Sequence, residues 1–241
     1  MSRDMSRDMS VEEPVTDTPG GTAVVDETEL AERSAAFEVA PASAVVRWAW
    51  ERFGDGLVLS ASFQDCVLID LATRVAPDIE VVFLDTGYHF PETIDYVEEV
   101  RRRYDLNLRV LRPAVGPDDR WRFDPNGCCR TRKVEPLERA LEGRAAWMTG
   151  LRRQEAPTRA GTPIVTYDRP RRVVKVNPLA TWTDDDVEAY IADHRLPVHP
   201  LATRGYRSIG CWPCTRAVAD TEHARAGRWA GLEKTECGLH L

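Results

Sequence analysis

Short apolar runs and helical patterns take turns along the chain from about Pro41 onward. The apolar runs are rich in β-forming residues: LVLSASF, EVVFLDT, LRVLRP and AAWMTG. The segments around them carry apolar residues every three or four positions, as in PASAVVRWAWERFG, QDCVLIDLATRVAP, PETIDYVEEVRRRYD and CCRTRKVEPLERALEG. Strands that alternate with helices of this length predict parallel β-α-β units. We therefore expect an α/β fold with a Rossmann-like parallel sheet and helices on both faces.

The pattern loosens after Gly150. The stretch TPIVTYDRPRRVVKVNP predicts a hairpin with Asp168–Pro170 in its turn. TWTDDDVEAYIADHR predicts a helix, because Thr183 is a good N-cap and acids fill the first turn. From Leu196 onward the chain is irregular and dense in Pro, Gly, Arg and Cys. We expect this segment to lie over the open end of the sheet.

Acidic charge is concentrated at the start of the chain. Residues 1–38 hold ten acids and three arginines, which accounts for the net charge of −7 and leaves the rest of the chain neutral. Because this segment is polar through about Gly21, we expect disorder over residues 1–38. A single α/β domain over residues 39–232 and a mobile tail over residues 233–241 would follow it. A neutral body lacks the basic face that nucleic-acid binding needs.

Membrane and secretory signals are missing from the sequence. No apolar run approaches the roughly 20 residues of a membrane span. The N-terminus, MSRDMSRDMSVEEP, has no apolar signal region. We therefore expect a cytoplasmic protein without membrane or nucleic-acid partners, in which the six cysteines stay reduced.

Two loops follow strands and are expected at the sheet edge where ligands of α/β proteins bind. In SASFQD, Ser60 and Ser62 alternate, so both can face one ligand. Hydroxyls and backbone N–H groups before a helix suit a phosphate. In LDTGYHFPET, backbone groups near Leu84 could contact a base edge. A plain turn is the alternative for the first loop, and His89 alone is more commonly a satisfied surface residue than a catalyst.

Two cysteine pairs are the clearest chemical signal. Cys128 and Cys129 are adjacent, and Cys211 and Cys214 form CWPC. Four thiols suit either zinc or an iron–sulfur cluster. The cluster is slightly favoured, because neighbouring thiolates can each bind a different iron. A thioredoxin-like redox pair in CWPC is the alternative, but it leaves the adjacent pair unexplained. Cys66 falls within the apolar face of a helix, which predicts a core position.

Basic residues occur in the segments expected to meet at the same sheet end. They are Lys133, Arg152, Arg153, Arg159, Arg216, Arg225 and Arg228. Because arginine binds phosphate and sulfate oxygens in a bidentate way, the set favours an anion site. Solvated surface charge is the alternative for any single arginine.

Seven motifs occur in the order found in one enzyme family. They are SASF, LDTG, CC with Lys133, TGLRRQ, IGCWPCTR, GRW and ECGLH. From about residue 45 to the C-terminus, the chain resembles the assimilatory adenylyl-sulfate (APS) reductases. The two cysteine pairs are similar to those of the iron–sulfur branch. The related phosphoadenylyl-sulfate (PAPS) reductases carry ECGLH but lack these pairs. The resemblance implies an adenine-nucleotide α-hydrolase-like fold.

The resemblance also implies residue roles. Cys237 of ECGLH would be the catalytic nucleophile. Four cysteines would bind a [4Fe-4S] cluster of structural and electrostatic function: Cys128, Cys129, Cys211 and Cys214. The substrate-binding residues would be Ser60, Ser62, Leu84, Lys133, Arg152, Arg159, Arg225, Arg228 and His240.

The activity that the resemblance implies is reduction of APS to sulfite and AMP in assimilatory sulfate reduction, which feeds cysteine biosynthesis. The Cys237 thiolate would attack the sulfur and displace AMP, leaving an S-sulfocysteine. The other five cysteines are assigned as ligands or core, so thioredoxin is the expected external reductant. The oligomeric state, including a homo-oligomer, is left open by the sequence.

Three other functions stay open at this point. One is activity on PAPS. Another is an ATP-dependent thiolating enzyme, such as one acting on tRNA, although SASFQD lacks the glycines of its pyrophosphate loop. The last is a zinc-stapled nucleotide-binding protein, which would be colourless.

Overall fold

Six strands form one sheet. The computed structural model describes residues 25–232 and 234–240. The strands are β1 Leu57–Ala61, β2 Glu80–Leu84, β3 Leu108–Leu111, β4 Ala146–Thr149, β5 Val165–Asp168 and β6 Val173–Val176. Their order is β3-β2-β1-β4-β6-β5, and every neighbouring pair is parallel except β5 with β6. The predicted parallel sheet is confirmed, and the predicted hairpin supplies its antiparallel edge.

Helices connect the strands. They are α1 Glu27–Phe37, α2 Ala42–Phe53, α3 Val67–Val75, α4 Pro91–Tyr104, α5 Arg120–Phe123, α6 Pro125–Cys129, α7 Glu135–Leu141 and α8 Asp184–His194. A π-helical turn, Arg130–Val134, joins α6 to α7. Thr183 caps α8 as predicted, since its Oγ1 accepts the Asp186 N–H at 3.1 Å. None of the helices in the described ranges is both long and apolar enough to cross a membrane.

Both faces of the sheet are covered, as the sequence predicts. Side chains alternate along β1, so Leu59 packs into the larger core with α2, α3 and α4, and Val58 packs into a smaller core on the opposite face. Leu137 and Leu141 of α7 complete the smaller core together with Trp147. Burying each such aliphatic side chain contributes about 1.5–3 kcal/mol. The two cores fix the strand ends that carry the site.

The expected disorder over residues 1–38 is wrong for its last part. Residues 27–37 form α1, capped by Asp26, whose Oδ1 accepts the Thr28 N–H at 2.9 Å. Leu30 and Phe37 are buried, and Ser34 Oγ accepts the backbone N–H groups of two residues at the start of β5, at 3.0 and 3.2 Å. An apolar face at helical spacing covers the exposed sheet edge, which outweighs the polar composition. Residues 1–24 lie outside the described residues.

Candidate active site

A cleft opens at the carboxyl ends of β1, β2 and β4. It is lined by every residue that the sequence predicts for catalysis or substrate binding. These are Ser60, Ser62, Leu84, Lys133, Arg152, Arg159, Arg225, Arg228, Cys237 and His240. Segments far apart in the sequence therefore meet at the sheet edge where ligands of such folds bind. Which of these residues contacts a substrate stays a prediction.

Trp147 of β4 orients two of these residues, although no sequence motif pointed to it. Its indole N–H donates to Ser60 Oγ at 2.7 Å, which leaves the serine hydroxyl proton free for a ligand. The His240 ring stacks on the indole, with centroids 5.5 Å apart and planes at 11°. Trp147 lies beside Ser60 because β1 and β4 are neighbouring strands, in a register that pairs Val58 with Trp147.

The loop after β1 turns sharply into α3. Phe63 has a φ of 55° and is fully buried, so the backbone takes a left-handed turn under the cleft. Asp65, which precedes the N-cap residue Cys66, accepts the Val67 N–H through Oδ1 at 3.0 Å and so satisfies one free N–H of the first turn of α3. Burial raises the pKa of Asp65. The N-terminal end of α3 is thereby held at the cleft.

Cys66 is a core residue, as predicted. It is 1% exposed, and burial raises the pKa of its thiol to about 11. It stands directly before α3 and not within the helix, because the left-handed turn delays the first helical residue to Val67. It does not line the cleft. Its buried, protonated thiol is therefore unsuited to chemistry there.

His89 is not the surface histidine that the sequence favours. Its Nε2–H donates to the Leu84 carbonyl at 2.9 Å, and its ring packs against Phe83, with centroids 4.8 Å apart. Burial lowers its pKa to about 4, so the imidazole is neutral at pH 7. The turn after β2 folds the histidine back onto its own strand, which periodicity alone does not reveal. The Leu84 carbonyl keeps one lone pair for a ligand.

The predicted cations differ in how far they are already paired. Arg152 is buried and forms an ion pair with Asp184 at 2.8 Å. Arg228 donates to the Ile209 carbonyl at 3.4 Å and packs over Trp229, with 4.6 Å from its guanidinium carbon to the ring centroid. Neither contact uses all the donors of its guanidinium, so both residues can still bind an oxyanion.

Lys133 stands one turn beyond Cys129. The π-helical turn that carries it directs it toward both the cleft and the cavity of the cysteines, since it lines each of them. Burial opposes its charge, but the negative charge of nearby thiolates, Cys211 first and then Cys237, raises its pKa above the ordinary value. Lys133 is therefore the cation shared by the two parts of the site.

Two of the seven candidate basic residues do not reach the cleft. Arg153 pairs with Glu38 at 2.6 Å, and Arg216 pairs with Glu222 at 2.8 Å. Both pairs are partly exposed, so they fit the alternative of solvated surface charge.

The described part of the tail, residues 234–240, lies against the cleft. Cys237, Leu239 and His240 line it, and Leu239 also packs against the smaller core. Burial is the main cause that lowers the pKa of His240 well below its ordinary value, so the ring is neutral here. As a neutral ring it would bind a ligand through hydrogen bonds and not as a cation.

The four paired cysteines surround a second cavity next to the cleft. This cavity is lined by Cys128, Cys129, Cys211 and Cys214. The first pair ends α6, and the second brackets a 3₁₀ turn, Trp212–Cys214. Thr86, which is fully buried, has its Oγ1 3.3 Å from Cys211 Sγ. Sequence spacing did not reveal this contact, although Thr86 stands in the LDTG motif.

Comparison with known proteins identifies the family. The family model for the phosphoadenosine phosphosulfate reductase domain matches residues 56–217. The chain belongs to this family. It is 49% identical over 221 residues to a protein of Streptomyces coelicolor named adenosine 5′-phosphosulfate reductase. The alignment covers 88% of this chain and 93% of the relative. A protein of the same name from Mycolicibacterium smegmatis is 48% identical, over 88% of this chain and 94% of the relative.

A solved structure of the family agrees with the fold. The crystal structure of phosphoadenylyl-sulfate (PAPS) reductase from Candida auris matches with a TM-score of 0.72 and 26% identity, over 81% of this chain and 100% of the other. The family and the fold that the motifs predict are therefore confirmed.

Proposed function

We propose that the protein reduces APS to sulfite and AMP, with Cys237 as the nucleophile. One observation carries the proposal: a single cleft is lined by the Cys237 segment, by four arginines and Lys133, and by the loops after β1, β2 and β4. A thiol beside cations at the ligand-binding edge of an α/β sheet suits attack on an anionic nucleotide. The relatives named adenosine 5′-phosphosulfate reductase support the choice of substrate.

The first half of the reaction is a displacement at sulfur. The Cys237 thiolate attacks the sulfur of the sulfate group, and the bond from that sulfur to the bridging oxygen of AMP breaks. AMP leaves with the electron pair of that bond, and the SO₃ group stays on Cys237 as S-sulfocysteine. Lys133 and Arg228 offset the charge that develops on the leaving phosphate. Ser60 and Ser62 hold the phosphate at the end of β1.

The second half of the reaction needs an external dithiol, for which we propose thioredoxin. One thiolate attacks Cys237 Sγ, sulfite leaves, and a mixed disulfide forms. The second thiol resolves this disulfide, so the dithiol is oxidised by two electrons and the substrate sulfur is reduced by two. Cys66 cannot take this part, because it is buried away from the cleft. We place the reaction in the cytoplasm, where such thiols stay reduced.

A [4Fe-4S] cluster held by Cys128, Cys129, Cys211 and Cys214 is part of the proposal. Four soft thiol donors line one cavity. Four cysteine thiolates are the ordinary donor set of a [4Fe-4S] cluster. Adjacent cysteines such as Cys128 and Cys129 fit it because each can bind a different iron. When bound, the cluster would tie the two cysteine segments together and set the charge beside Lys133.

The test measures sulfite release by anaerobically purified protein with thioredoxin, once with APS and once with PAPS as substrate. The visible absorption spectrum of the same protein is recorded. We expect sulfite from APS and a brown protein that absorbs near roughly 400 nm. Release from PAPS alone would make the protein a PAPS reductase. No release from either substrate would refute the proposal, and a colourless active protein would refute the cluster.

Two cysteine variants sharpen the test. Cys237→Ser is expected to abolish sulfite release and to keep AMP binding and the brown colour. Cys66→Ala is the matched control, because its thiol is buried outside the cleft, and it is expected to keep turnover. Turnover by Cys237→Ser would show that the nucleophile is misassigned.

A further inference from the structure

The residue before Cys237 is held more tightly than a chain end ordinarily is. Glu236 is 7% exposed. Its two carboxylate oxygens accept from Arg159 in a bidentate way, Oε1 from Nε at 2.6 Å and Oε2 from Nη2 at 2.7 Å. The Thr158 hydroxyl lies 3.3 Å from Oε1, and Arg225 Nη2 lies 3.4 Å from Oε2. A fork-to-fork pair of this kind fixes both the position and the plane of a carboxylate.

Arg159 is itself paired within the loop that follows β4. It ends a short 3₁₀ turn, Pro157–Arg159, and is 8% exposed. Its remaining nitrogen, Nη1, donates to Glu155. All three guanidinium nitrogens therefore face carboxylates, and the pair with Glu236 cannot rotate freely. Arg159 therefore links the tail to the loop that follows β4.

Side chains, rather than backbone, hold the described part of the tail. Gly231 has a φ of +81° and open space where a Cβ would stand, which suits a hinge. In the part of the tail that the structure describes, Lys234 is the last residue whose N–H donates to a backbone carbonyl outside helices and strands. Beyond it, Glu236 binds Arg159, Leu239 packs on the smaller core, and His240 stacks on Trp147.

We propose that Glu236 is a positioning residue, whose pair with Arg159 forms a latch that seats the tail with Cys237 in the cleft. The assignment rests on the proposed function, in which Cys237 is the nucleophile. Cys237 is adjacent to Glu236 in the chain, so fixing the carboxylate limits where the thiol can lie. The latch closes for attack on the substrate and must open for the dithiol to reach Cys237.

The charge state of the pair agrees with this assignment. Burial opposes ionisation of Glu236, but the hydrogen bonds and the charge of Arg159 outweigh it and hold the pKa of Glu236 below its usual range. The carboxylate is thus ionised throughout the neutral pH range. Glu236→Gln removes this charge, and it replaces one of the two carboxylate oxygens that accept from Arg159 with an NH₂ donor.

The latch can be tested without any substrate, by the rate at which Cys237 is alkylated by iodoacetamide in anaerobic protein, followed by peptide mass mapping. Glu236→Gln is expected to raise this rate at least about fivefold, because the tail opens more frequently. Glu236→Asp keeps the charge and is expected to fall in between. Equal rates in the wild type and Glu236→Gln would overturn the latch.

The second readout separates positioning from substrate binding. In single turnover with APS and no reductant, Glu236→Gln is expected to slow sulfonation of Cys237 roughly 10- to 100-fold. The Kd for AMP should stay within about twofold of the wild type, since Glu236 does not bind the nucleotide in the proposed reaction. Tighter AMP binding with unchanged sulfonation would overturn the proposal, because Glu236 would then only compete for the anion site.

Glu222→Gln is the matched control. Glu222 also binds an arginine, Arg216, in a bidentate way in the C-terminal region, at 2.8 and 3.2 Å, but it lies outside the cleft. It is expected to alter neither alkylation nor sulfonation, and an effect equal to that of Glu236→Gln would count against a specific latch. If the wild type makes no sulfite from APS, the proposed function fails, while the alkylation rates still report on the latch.

Discussion

Trp147 serves two residues of the cleft at once, through its indole N–H to Ser60 and its face to His240. Trp147→Phe keeps an aromatic face and removes the N–H donor, so the Ser60 hydroxyl loses its orientation. The smaller ring also leaves part of the space of the buried indole empty, which lowers stability. A neutral hydrogen bond contributes about 0.5–1.5 kcal/mol. We therefore expect the KM for APS to rise several-fold with little change in kcat. Steady-state kinetics measure this, with Trp48→Phe on the other side of the sheet as the control; an unchanged KM would contradict the role of Trp147.

Lys175 makes the free energy of unfolding depend on pH, with a sign that its burial fixes. It is 8% exposed in β6, with Nζ 4.8 Å from the Trp147 ring centroid, and burial lowers its pKa from 10.5 to about 8. Between pH 8 and 10.5 the unfolded chain therefore binds more protons than the folded one, so the free energy of unfolding rises with pH across this window.

Urea unfolding at about pH 7.5 and about pH 10 tests this sign. The wild type should gain about 2 kcal/mol relative to Lys175→Met between the two pH values. The difference between the two proteins isolates Lys175 from other groups that titrate in the same range. A constant difference would mean that the lysine is not desolvated in the folded state.

At the scale of elements, α1 contributes a side chain to the edge of the sheet. Ser34 Oγ accepts the N–H groups of Ile164 and Val165. Ser34→Ala leaves these buried donors without that acceptor, which costs about 1–3 kcal/mol. Urea unfolding should show this loss, whereas Ser43→Ala, at an exposed position of α2, should be within about 0.5 kcal/mol of the wild type. Equal stability of both variants would show that the hydrogen bonds to Ser34 of α1 do not stabilise the edge strand.

The elements also show which parts of the fold the sequence could reveal. Four strands and their helices followed from local patterns of apolar and β-forming residues. Helix α1 did not, because its apolar face is narrow and sits in an acidic segment. The turn that folds His89 back onto β2 depends on its contacts with Leu84 and Phe83. The spacing of apolar residues does not report the direction of such a turn.

At the scale of the whole molecule, the topology brings the predicted residues together. Parallel strands put the loops after β1, β2 and β4 at one edge, and the irregular C-terminal segment returns across it. The motifs in the sequence were therefore enough to predict which residues line the cleft. Their pairing was not, because the ion pair of Arg159 with Glu236 joins positions 77 residues apart. The sequence shows how many basic residues a site holds, but only the structure shows which of them are already paired with carboxylates.

The central claim is that Cys237 carries the sulfur between the two half-reactions. The most direct measurement is peptide mass mapping of the protein after incubation with APS in the absence of any reductant. We expect one SO₃ group on the peptide that contains Cys237, together with release of one AMP per chain, and loss of the group as sulfite when thioredoxin is added. Sulfite formation with an unmodified Cys237, or an SO₃ group on another cysteine, would contradict the account.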